Sequence, residues 1–172
     1  MSWNRAQQYS RILGGLTQWL GSRVAWLSLL LVLVTAMVVL LRYGFQTGSI
    51  ALQESLLYIN ALMVAVGGAY TLQQDRHVRV DIFYARLSPQ QKARVNCAGI
   101  VLLLIPLCGF ILWASWDYVA LSWRIRERST EASGLPFVFL LKSLVPATAV
   151  LLLWQGLAEL LRNLHLLFRD QG

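Results

Sequence analysis

The chain has 172 residues, one-domain length, of which 57% are apolar and only 13% charged. A typical globular chain carries about 25% charged residues, so a soluble domain is excluded, and the apolar content with a mean hydropathy of +0.56 also excludes a disordered tail. The net charge of +7 would suit a nucleic-acid partner, but the apolar content argues against one and fits a small polytopic membrane protein that meets anionic headgroups.

Residues 1–23 carry Arg5, Arg11 and Arg23. Between them Ile12, Leu13, Leu16, Trp19 and Leu20 fall on one helical face, which predicts a short amphipathic helix lying in the headgroup layer. The first span is 24–41, uncharged and about 27 Å long at helical rise. No small-residue cleavage site follows it, so it reads as a retained anchor, not a signal peptide. The second span is 53–73, with Glu54 and Asn60 inside it. A charged stretch from Asp75 to Arg94 follows, where Val80, Phe83, Tyr84 and Leu87 suggest a further interfacial helix.

Ser88-Pro89-Gln90-Gln91 is a helix start: Ser at the N-cap, Pro in the first turn, Gln three residues after the cap. It leads into the third span, 95–123, with Pro106 as the expected kink. After the charged turn 124–134, the fourth span runs 135–161, and the tail 162–172 keeps an apolar face. The fold class is therefore an all-α integral membrane protein of four transmembrane helices. The side holding both termini and the 75–94 loop carries ten Lys or Arg (three, five and two), against four on the other side: Arg42, Arg124, Arg126 and Arg128. The positive-inside bias places both termini in the cytoplasm.

Charges inside spans are the sharpest functional signal, because each costs at least about 2.5–3.5 kcal/mol at the bilayer centre by insertion scales. Asp117 and Lys142 lie at matching depth, about 10 Å inside the outer boundary, and Glu54 opens the second span from the same side. Lys142 is expected to pair with Asp117 or Glu54, as a structural pair or as an ion or proton site. Glu159 and Arg162 read as an i, i+3 pair near the cytoplasmic surface. Ala61, Ala65 and Gly68 form a small-residue stripe above Tyr58 and Glu54, suited to close helix approach within the chain or between subunits.

The two histidines, His77 and His165, lie outside the apolar runs, which speaks against a haem. Cys97 and Cys108 form neither a CxxC pair nor a disulfide framework. No metal, phosphate-loop or triad motif is present, and nothing supports an enzyme or a cofactor.

Several stretches resemble the small membrane subunit (DctQ type) of tripartite ATP-independent periplasmic (TRAP) transporters. These are Gln53-Glu54 with Tyr58 and Gly67-Gly68-Ala69, then Gln74 to Asp81 with its His77-Val78-Arg79-Val80-Asp81 signature, then Glu131 to Pro136 followed by Val145-Pro146. The resemblance covers essentially the whole chain. It implies a bacterial inner-membrane system in which a periplasmic receptor captures an organic acid and a large membrane subunit moves it with sodium. The small subunit would brace the large one and add to the receptor-docking surface, for which Arg124, Arg126, Arg128 and Glu131 are the candidates. His77 and Asp81 join Glu54, Tyr58, the small-residue stripe, Asp117 and Lys142 as candidates for structure or subunit contact. The alternative, from a different class, is a stand-alone homodimeric proton-coupled transporter built around Glu54.

Overall fold

A computed structural model describes residues 23–73, except 25, and 87–169. The expected interfacial helix in 1–23 and the loop segment with His77 and Asp81 therefore lie outside the described residues, apart from Arg23. Four helices are long and apolar enough to cross a membrane: α1 (Trp26–Gly44), α2 (Ile50–Gln73), α3 (Pro89–Arg124) and α4 (Val138–Arg169).

Local chemistry sets the helix ends. Ser49 caps α2, its hydroxyl accepting from the Leu52 N–H at 3.4 Å, so the helix opens at Ile50 and not at the expected Gln53. Ser88 caps α3 through a complete capping box: its hydroxyl accepts from the Gln91 N–H at 3.3 Å, and Gln91 Oε1 accepts from the Ser88 N–H at 2.9 Å. α4 starts at Val138, because the backbone of Leu135 is engaged in the preceding loop, and it continues through the expected tail to Arg169. Pro146 sits inside it without ending it.

The expected irregularity at Pro106 is found one turn earlier. Residues Ile100–Leu104 form a π-helical turn in which the Ile105 N–H reaches back five residues to the Ile100 carbonyl. Pro106 has no N–H to offer the carbonyl four residues before it, and the wider turn absorbs that gap. The turn also brings Leu104 onto Gly156 of α4, where a Cβ would clash with the leucine's end. At 36 residues α3 is about 54 Å long, well over the roughly 30 Å of hydrocarbon.

α4 is the hub. It packs against α2 and against both halves of α3. The α2–α4 contact is built from small residues: Ala65 and Ala69 on α2 and Ala149 on α4 are buried, and a Cβ on Gly68 would meet Leu152 at 4.0 Å. The small-residue stripe thus serves packing within the chain, with Ala61 half-buried at its outer end. α1 is peripheral. It has no buried residue, only a half-buried stripe of Leu27, Leu31, Val34, Val38 and Leu41 at helical spacing.

Candidate functional site

The polar side chains of the spans gather at two levels, one at each end of α4. The first, termed outer, is organised by the loop between α3 and α4, and the second, termed inner, lies at the far end of α4. Helix α3 ends with Arg126 in the left-handed region (φ 49°). The Arg126 N–H donates to the Trp123 carbonyl at 3.3 Å and the Glu127 N–H to the Ser122 carbonyl at 3.0 Å, the two bonds of a Schellman motif. That position favours glycine. Here the guanidinium lies 5.9 Å from the Trp123 ring and 5.6 Å from the Phe139 ring, cation–π contacts that offset the backbone cost.

The turn folds Glu127 back over the start of α4. Lys142 Nζ donates to Glu127 Oε1 at 2.8 Å and to Oε2 at 2.6 Å, and lies 4.0 Å from the centre of the Tyr118 ring. The ammonium holds the Glu127 carboxyl below the usual carboxylate range. This corrects the expectation that Lys142 pairs with Asp117 or Glu54. Depth was matched, but direction was not. Successive residues sit about 100° apart around a helix. Tyr118 faces Lys142, and Asp117 is turned to the exposed side of α3 beside Trp116.

Glu54, half-buried at the start of α2, holds the rest of the loop. One carboxylate oxygen accepts from the Ser129 hydroxyl, the other from the Leu135 N–H at 2.6 Å. The Ser129 N–H closes the loop on the Leu135 carbonyl at 3.1 Å. Gly134 is required here: a Cβ would clash with Ser129 and come within 2.7 Å of Glu54 Oε1. Trp123 Nε1 donates to Ser143 Oγ at 2.8 Å, tying α3 to α4 below the loop. Tyr58 Oη, one turn along from Glu54, is buried without a hydrogen-bond partner among the described residues. The result is a braced platform on which Arg124, Arg126, Arg128 and Glu131 are all exposed.

The inner level was only partly anticipated. The expected Glu159–Arg162 pair is present at 2.8 Å, with Glu159 itself buried in the bundle, 6% exposed. Its Oε1 also accepts from Asn163 Nδ2 at 3.0 Å, and Asn163 Oδ1 accepts from Asn96 Nδ2 of α3 at 3.3 Å. Gln155 is buried one turn further on. Gln155, Glu159 and Asn163 recur every four residues, a polar stripe on one face of α4. That spacing is visible in the sequence.

No group of three or more His, Cys, Asp or Glu side chains converges among the described residues. Cys97 and Cys108 are free thiols. Chemically, both levels hold helices and a loop in place. The outer one presents positive charge.

Compared with known proteins, residues 31–166 match the family model described as "Tripartite ATP-independent periplasmic transporters, DctQ component". No curated protein matches the chain, and no solved structure matches it.

Proposed function

From the premise that this multi-pass membrane protein belongs to the DctQ component family of TRAP transporters, we propose that it is the small permease subunit that braces a large membrane subunit and helps a periplasmic substrate-binding protein to dock. The assembly takes up an organic acid with sodium across a bacterial inner membrane, and the sodium sites belong to the large subunit. With both termini in the cytoplasm, residues 125–137 face the periplasm. The family match carries this reading. The docking half is supported by the braced loop, whose exposed arginines meet a soluble partner without first having to be ordered. Glu54 has both carboxylate oxygens engaged by the loop, which speaks for a structural role and against the stand-alone proton carrier.

The test is reconstitution in vesicles under a sodium gradient. Uptake is expected only with this chain, the large subunit and the receptor together. Arg126→Glu with Arg128→Glu should raise the receptor concentration needed for half-maximal uptake and leave assembly of the membrane subunits intact. Uptake by this chain alone would overturn the reading.

A further inference from the structure

Among the acids within the described helices, Glu54 and Glu159 are satisfied inside the chain, and Asp117 is not. It is exposed and meets no cation or hydrogen-bond donor among the described residues. The lysine at its depth is taken by Glu127. Asp117 lies seven residues before Arg124, about 10 Å inside the end of α3. Intramembrane carboxylates face a bundle interior or a water-filled cavity and pair there. Asp117 faces away from this chain's own bundle, so a second protein must complete its surroundings.

The neighbours on that side agree. Phe110, Trp113, Asp117 and Leu121 recur at i, i+3, i+7 and i+11, one face of α3, and Phe110, Trp113 and Leu121 are 62%, 77% and 58% exposed. Trp123 sits where an aromatic belt at headgroup level is expected. Trp113 lies about 16 Å inside the helix end, well below such a belt. A large aromatic ring beside a polar anchor is the composition of an interface centre.

We infer that this face of α3 is an intramembrane docking surface for a transmembrane helix of the large membrane subunit, one that presents an arginine or lysine to Asp117. The inference rests on the small-subunit reading. Charge complementarity selects the occupant. A second copy joined through the same face would set carboxylate against carboxylate. Lipid tails offer no donor. The soluble receptor does not enter the bilayer.

The experiment co-expresses the tagged chain with the large subunit and measures what is recovered in detergent, with a photo-cross-linking amino acid at position 113 in parallel. Asp117→Leu is expected to lower recovery of the large subunit roughly tenfold, the size of an interhelical polar pair in a membrane. The melting temperature of the chain purified alone should not change, because the side chain is exposed there. The cross-link should map to a helix of the large subunit with a nearby Arg or Lys, and changing that residue to Asp should restore recovery of Asp117→Arg. Full recovery with Asp117→Leu, or cross-links only to lipid or to a second copy, overturns the inference and leaves the small-subunit reading standing. Failure of the wild-type chain to recover the large subunit overturns both.

Discussion

The two polar levels of the bundle solve different problems. At the outer end the carboxylates act on a loop: Glu54 accepts a backbone N–H and a hydroxyl, and Glu127 reaches Lys142 only because the chain doubles back at Arg126. At the inner end, side chains of two helices bond to one another, Asn96 to Asn163 and Asn163 to Glu159. The outer set gives a fixed surface on an otherwise irregular segment. The inner set fixes the register of α3 on α4 beside the π-helical turn. Losing the first deforms a surface; losing the second loosens a core.

Glu54→Ala should be the most damaging change. It strands the Leu135 N–H and the Ser129 hydroxyl and costs about 3 kcal/mol, from two bonds to a charged acceptor. Thermal unfolding in detergent measures it, and Gly134→Ala should reproduce it by pushing Ser129 against Glu54. An effect of Gly134→Ala on melting with none on receptor docking would separate the loop's stability from its use.

At the inner level, Glu159→Leu should cost about 2 kcal/mol, less than a buried charge pair in a soluble core, because polar helix pairs in membranes couple more weakly. It should leave receptor docking unchanged in the variants that assemble. Equal docking defects from both levels would break the division of labour.

The Lys142–Glu127 pair is partly exposed, and its effect should be smaller. Lys142→Met and Glu127→Gln should each lower the melting temperature, and the double change should recover part of the loss; simple additivity would mean no coupling. The pair also predicts a pH dependence. Glu127 has a folded pKa below its unfolded one, so its contribution is fully present above the ordinary glutamate value and is lost as pH falls below that value through the lowered one. Melting curves of wild type and Lys142→Met should converge in that acidic window.

The smallest change in stability is expected for Arg126→Gly. Relief of the left-handed arginine backbone and loss of the two ring contacts act in opposite directions and should leave less than about 1 kcal/mol. Receptor docking should still weaken, through the lost charge.

Hydropathy and caps made much of this fold legible. Four apolar stretches gave four spanning helices, and Ser88-Pro89-Gln90-Gln91 gave the start of α3. Partners were harder to read. Counting residues from a turn gives depth, so Asp117 and Lys142 were placed at one level. It does not give the direction in which each side chain points, and the backbone reversal that frees Glu127 depends on a left-handed arginine that no sequence rule favours. The inner network is hard to read in the sequence for another reason. Asn96, Gln155 and Asn163 are neutral and carry no charge signal, although the burial of Gln155 and Asn163 with Glu159 makes them equally in need of partners, and Asn96 supplies one to Asn163.

The central position of α4 has a consequence for biosynthesis. α2 and α3 are held chiefly through α4, the last of the four spans to leave the ribosome. Until it is inserted, the small residues of α2 and the polar head of α3 lack their partners on α4. The packing of α2 and α3 into the bundle therefore completes only once α4, with Asn163, has been inserted. A nascent chain stalled before α4 lacks the buried contacts of Ala149, Glu159 and Asn163.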